Sequence, residues 1–259
     1  MNVQPVGNHL RRWRQQRRLS QLDLALGAEI SARHLSFLET GRASPSREML
    51  MRLAEHLDIP IRERNVLLVA AGYAPVFAER SLDDPALAPA RAAIDLMLQA
   101  YRPYPAFALD RHWNIVASNG ALPEAYVDVD PSLLTPPINV MRLSLHPKGL
   151  APRIVNFGEY RAHLLHRLRA QVELTADPTI TDLYREVLAY PSQKDGPTHH
   201  GDGVVVPMCI RVGEHVLSFL TTTMVFGTPL DVTLSELAVE TMFPSDQQTF
   251  EIMRTLAAG

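Results

Sequence analysis

Apolar residues between Leu19 and Arg42 recur at intervals that predict two short helices around a tight turn. Ser20 stands where an N-cap belongs, Gln21 opens the first helix, and Leu22, Ala25 and Leu26 fall three to four apart on one face. The pattern breaks at Glu29 and Ile30, and Ser31 caps the next helix. There Leu35 and Leu38 point inward, while Ala32, Arg33, His34, Ser36 and Phe37 stay on or near the outer face. Gly41, free to adopt a positive φ, stops it. A helix that exposes Arg, His and Phe beside cationic neighbours is shaped for a DNA major groove. SPSREMLMRLAEHLDIP predicts a capped fourth helix, and IRERNVLLVAAGYAP a fifth that ends at Gly72 and Pro75.

The acidic, Pro- and Ala-rich stretch FAERSLDDPALAPA reads as a linker with a boundary near residue 80, followed by a helix over 86–100. This divides the chain into a helical head at 1–75, a linker and connecting helix at 76–100, and a second domain at 101–259. In that domain AFALD and WNIVASN predict a hairpin, Phe107–Leu109 against Trp113–Ser118, around an Arg111-His112 turn. INVMRLSL looks helical up to Pro147. Positions 157, 160, 164, 165, 168 and 172 mark a long amphipathic helix, and DPTITDLYREVLAYP another from an Asp-Pro cap. Three strand candidates follow, VVVPMCIRV, HVLSFLTTTMVF and VTLSELAVETMF, the first two joined through Gly213-Glu214. A short helix, QQTFEIMRTLA, closes the chain. Five strands with helices inserted after the second predict an antiparallel sheet with helices on one face, an α+β, PAS-like sensor shape.

Charge sharpens this division. The net charge is −3, but residues 1–72 hold eleven Lys or Arg against seven Asp or Glu, and the rest fourteen against twenty-one. A cationic head on an anionic body suits a DNA-binding module fused to a part that does not touch DNA. Arg11, Arg12, Arg14, Arg17 and Arg18 concentrate the charge in the first helix, as phosphate contacts or as a solvated face. Cys209, the one cysteine, excludes an internal disulfide and fits a reducing cytoplasm; its apolar run points to a buried, inert thiol. There is no signal peptide and no apolar run of membrane-spanning length, so a cytoplasmic protein without a membrane partner is expected.

The chain offers little to catalysis. HHGD, at His199, His200 and Asp202, lies among glycines and reads as a solvated loop, because adjacent side chains rarely aim at one ion. No nucleophile-elbow, paired-cysteine, phosphate-loop or dinucleotide fingerprint is present. Asn119, His146, Asn156 and Asp246 lie at segment ends, where turn and cap bonding is the commoner role. No catalytic residue, metal site or cofactor is expected.

Residues 7–72 resemble the helix-turn-helix domain of phage repressors and the XRE class of bacterial regulators, an all-α, lambda-repressor-like fold. The likeness is carried by Gln21, Ala25, Ser31, Leu35, Leu38, Glu39, Gly41 and Arg42, then Pro45, Leu50, Leu53, Ala54, Leu57 and Ile59. It implies that Arg33, His34 and Phe37 face bases with Ala32 at the helix start, that Gln21 clasps a phosphate beside Ser31, and that Arg42 meets the backbone. It also implies an Arg14–Glu39 ion pair. Roughly residues 100–250 resemble the ligand-binding domain of MmyB-like regulators. Asn119, His146-Pro147, Asn156, Thr221-Thr222, Gly227-Thr228-Pro229 and Pro244-Ser245-Asp246 come in the family's order, with Phe157 where the family often has Trp.

That second resemblance implies a PAS-like domain enclosing an apolar pocket, fatty-acid-like ligands included. Phe107, Trp113, Met141, Leu145, Phe157, Leu217 and Phe219 are candidates for its wall, and Asn119 and Asn156 for its polar end. The same apolar residues also suit a plain core. The expectation is a DNA-binding transcriptional regulator acting as a homodimer on a double-stranded operator and responding to a small apolar ligand. Two rivals are a constitutive repressor whose second domain only dimerises, and a helix-turn-helix-headed enzyme.

Overall fold

The computed structural model describes residues 4–175, 177–191, 205–227 and 229–258. Its elements begin with α1 (Val6–Gln16), α2 (Gln21–Gly27), α3 (Ala32–Glu39), α4 (Arg47–His56) and α5 (Ile61–Ala70). There follow α6 (Ala88–Ala100), β1 (Ala106–Leu109), β2 (Ile115–Ser118), α7 (Val140–Leu145), α8 (Phe157–Thr175) and α9 (Pro178–Leu188). The chain ends with β3 (Met208–Val212), β4 (His215–Val225), α10 (Val232–Ser235), β5 (Ala238–Pro244) and α11 (Gln247–Ala258). Two compact units result. The first gathers the chain up to Arg80 together with Pro229–Ser235, and the second holds the remainder.

Local chemistry sets the helices of the first unit. Ser20 and Asp23 form a reciprocal capping box at α2, and Ser31 and Ser46 accept from His34 N and Met49 N at the starts of α3 and α4. Gly41 leaves α3 at φ 72°, as expected. Glu29, in the turn between α2 and α3, adopts φ 55° with a full side chain. Trp13, Leu10, Leu35, Leu38, Leu50 and Leu53 fill the core. Gly7 permits α1 to meet the end of α3, because a Cβ there would lie 2.3 Å from the Leu38 carbonyl oxygen.

Leu22 and Leu26 look outward, at 58 % and 69 % exposure, whereas Ala25, expected to share their face, joins Leu24 and Ala28 on the buried side of α2. Spacing alone cannot separate an exposed Leu pair from a core stripe when the helix spans two turns.

The piece from Pro229 to Ser235 enters the first unit against the chain after α5. Val232 N donates to the Ala78 carbonyl at 2.8 Å, and the Thr233 hydroxyl donates to the Arg80 carbonyl at 2.6 Å. Arg80 pairs with the buried Asp231 at 2.8 Å. Asp231 also accepts from Thr233 N at 2.9 Å, which turns the chain into α10. The predicted strand VTLSELAVETMF is therefore α10 followed by the shorter β5.

The second unit is built on an antiparallel sheet of order β2-β1-β5-β4-β3. Registers Phe107↔Glu240, Thr221↔Met242 and Met208↔Phe219 put these side chains on one face, which packs toward α8. The other face is covered as well, contrary to the one-sided expectation. Ala106, Ala108, Val239 and Thr241 are buried there, Tyr101 lies edge-on to Phe243 at 5.4 Å, and Tyr104 contacts Phe243 and Phe250 of α11. Trp113 is not in a strand. Asp110 accepts from His112 N and Asn114 N, closing a turn in which Trp113 takes φ 68°.

Candidate functional site

The helix-turn-helix face is organised by one carboxylate. Glu39, 5 % exposed, receives Arg14 Nε at 2.6 Å and Arg14 Nη2 at 2.9 Å. Gln21 Nε2 donates to the same group at 2.8 Å. Burial works to raise the Glu39 carboxyl, but the bonds from Arg14 and Gln21 and the charges of Arg14 and Arg11 outweigh it and hold it below its usual range. The pair ties α1, α2 and α3 together, as the resemblance implied. Gln21 thus stands at the first position of α2 with one amide N–H committed to Glu39; an amide has a second.

Along α3, Ser31 and Arg33 are exposed and Ala32, His34 and Phe37 half-buried; Arg42 is exposed in the loop beyond. The Arg33 guanidinium lies 5.4 Å from the Phe37 ring centroid and that of Arg42 6.0 Å, so the three form one aromatic–cationic cluster. The arginines of α1 and its end divide by role. Arg14 is spent on Glu39, and Arg17 donates to the Leu57 and Asp58 carbonyls, closing the end of α4. Arg12 pairs with Glu63 at 3.6 Å. Arg11 and Arg18 are exposed, and their side chains make no ion pair or hydrogen bond among the described residues.

Two hollows adjoin in the second unit. The outer, about 270 Å³, is lined mainly by Phe107, Ile115, Ala121, Pro123, Tyr126, Leu134 and Ile138. The inner, about 50 Å³, lies against the sheet and includes Trp113, Tyr160, Leu164, Met208, Phe219, Thr221, Glu240 and Met242. Pro105, Phe107, Ile115, Tyr126 and Leu143 line both. A more open hollow of about 790 Å³ runs along α5 and 75–79 but includes none of the predicted residues.

Of the predicted wall, Phe107, Trp113 and Phe219 reach the hollows. Met141, Leu145, Phe157 and Leu217 are fully buried core and line neither. Neither asparagine offers a spare polar group. Asn119 touches the outer hollow, yet its amide donates to the Leu98 and Tyr104 carbonyls and accepts from Ala106 N and Ala121 N. Asn156 accepts from Cys209 N and donates to the Pro207 carbonyl, pinning β3 to the start of α8. Cys209 is buried beside Ser218.

Tyr160 was a candidate from the sequence, whereas Glu240, which lines the inner hollow, and its neighbours Arg167 and Gln171 were not. Glu240 on β5 receives Arg167 Nη2 at 2.5 Å. The Arg167 guanidinium stacks 4.8 Å from the Trp113 ring centroid, and the Trp113 indole donates to Gln171 Oε1 at 2.6 Å. Tyr160, Leu164, Arg167 and Gln171 recur at helical spacing on α8, which was the available signal. Among the described residues no group of three His, Cys, Asp or Glu is placed to hold a metal; His199, His200 and Asp202 lie outside them. No described helix is long and apolar enough to cross a membrane.

Residues 10–64 match the helix-turn-helix family model, and residues 90–256 match the model of the MmyB-like transcription regulator ligand binding domain. No curated protein matches the chain. The second match spans more than half of the sequence and the first falls on α1–α5, so the chain belongs to the MmyB-like family of DNA-binding transcription regulators.

Proposed function

We propose that this regulator reads a specific operator as a homodimer in the cytoplasm, and that occupancy of the adjoining hollows by a small apolar ligand with a fatty-acid-like chain alters that binding. One observation carries the ligand reading. An apolar chamber of about 270 Å³ leads to a second chamber against the five-stranded antiparallel sheet, in a chain headed by a helix that exposes Arg33. Functional limits at 1–75, 76–100 and 101–259 go with this division of labour, with Pro229–Ser235 set into the first compact unit. Arg33, His34 and Phe37 read bases, with Ser31 and Ala32 at the helix start; the second N–H of Gln21 and Arg42 hold phosphates. No catalysis is assigned.

Coupling is a population shift. Thr221 of β4 and Glu240 of β5 line the inner chamber, and Pro229–Ser235 between those strands belongs to the first unit. A ligand that favours one arrangement of β4 and β5 therefore acts on a segment anchored beside α5 by Asp231 and Val232.

The test is extraction of small molecules from purified full-length protein, read by mass spectrometry. Fluorescence anisotropy on an operator selected from random DNA follows, with and without the extracted compound. Recovery of an apolar molecule that shifts operator affinity is the expected result. An empty extract, together with affinity unmoved by apolar chains, would leave the second domain as a dimerisation module.

A further inference from the structure

Glu240 is a carboxylate at 4 % exposure on the middle strand of the sheet, facing the inner chamber. Its Oε1 receives Arg167, with the Thr223 hydroxyl at 3.4 Å. Its Oε2 takes no hydrogen bond among the described residues. The Tyr160 hydroxyl, lining the same chamber, likewise makes none among them. Two polar groups of buried residues thus line one small accessible space with bonding capacity unspent, open to whatever enters it.

We infer that the inner chamber is built for the hydroxyl end of an apolar chain and selects against a free carboxylate. The inference rests on reading the hollows as a ligand site. An alcohol meets both groups at once: its O–H donates to Glu240 Oε2, and its oxygen accepts from the Tyr160 hydroxyl. Burial, then the Glu240 charge, pushes the Tyr160 phenol up, so it remains a donor at neutral pH. A carboxylate has no proton to give and would set a second negative charge against Glu240. Arg167, the nearby cation, is committed to Glu240 and stacked on Trp113. Size permits this, since about 50 Å³ has room for a few water-sized groups, at roughly 10–15 Å³ each. The chain then runs into the apolar outer chamber.

The experiment is isothermal titration calorimetry of delipidated full-length protein with decanol and with decanoate at neutral pH. Decanol is expected to bind at least about tenfold more tightly, the scale of one hydrogen bond to a charged group. Glu240→Gln, which offers an N–H in place of a charge, is expected to erase or invert that preference. Tyr160→Phe, nearly isosteric, is expected to weaken decanol about tenfold. Wild-type protein that binds decanoate as tightly as decanol would overturn this inference and leave the ligand reading standing. Failure of every apolar chain to bind would overturn both. The wild-type comparison decides the matter even where a variant does not fold.

Discussion

Replacing Glu39 with Ala removes the hub of the DNA-binding unit and strands Arg14. The Glu39 side chain is 1 % exposed and that of Arg14 12 %. Removing one partner of a buried pair costs about 3–5 kcal/mol. Arg14 keeps one bond, to the Leu19 carbonyl at 2.9 Å, and some contact with water, which places the loss at the lower end, about 3 kcal/mol. For a unit of this size that is roughly 12–24 °C in melting temperature. The surface pair Arg12–Glu63, at 46 % and 25 % exposure, is the internal control; Glu63→Ala is expected to cost about 1 kcal/mol or less. Hydrogen exchange of α1–α3 in the full-length protein measures both.

The sign of the pH dependence follows from the same carboxylate. Its folded pKa lies below the ordinary value of 4.5, so its stabilisation is fully present above that value and is lost as pH falls through the folded pKa. His9 adds an earlier loss. Burial, then Arg12, lowers it from 6.5, so its stabilisation is present above that value and declines as the pH falls below it. Glu39→Gln is expected to remove the more acidic limb and leave the other. Equal losses from Glu39→Ala and Glu63→Ala, or an unchanged acid limb in Glu39→Gln, would refute the reasoning.

Gly7→Ala is expected to destabilise the head by about 2 kcal/mol or more and to weaken operator binding, because the new Cβ meets backbone at 2.3 Å; calorimetry checks it. Arg33→Ala is expected to cost about 1–3 kcal/mol of operator affinity and to relax preference at one base pair, whereas Arg42→Ala should weaken all sequences alike and flatten the salt dependence. Equal, sequence-blind losses in selection-and-sequencing experiments would remove the base-reading role of Arg33. Asp231→Ala removes a buried partner of Arg80 and the bond to Thr233 N. Faster hydrogen exchange at 76–80 and a weaker effect of ligand on DNA affinity are the expected results, at about 1–2 kcal/mol of local stability.

What the sequence made legible is what local chemistry decides. Ser20, Ser31 and Ser46 cap helices because their neighbours three residues on supply the N–H, and no distant contact is needed. Arg14–Glu39 was legible through a family pattern, not spacing, since twenty-five positions separate the two. Ala25 parts from Leu22 and Leu26 because a two-turn helix offers too few repeats to set its buried side. The seating of 229–235 beside residues 78–80 had no local signature, its partners lying some 150 positions away.

The sensor's polar end shows the same limit more sharply. Phe107, Trp113 and Phe219 were visible as large apolar residues in strand or turn segments, and a pocket wall and a core wall call for the same residue types. Polar groups separate the two only by whether their bonds are spent. Asn119 and Asn156 looked like the polar end, yet their amides are consumed by backbone groups around them. Glu240 carries no signal of its own in the strand run AVETMF. It lines the chamber because β5 is the central strand, and Arg167, 73 positions away, engages one of its oxygens and leaves the other without a hydrogen bond among the described residues. Valence left over after the fold is complete is a property of the assembled sheet and helix, which is why decanol and decanoate question it more directly than the sequence does.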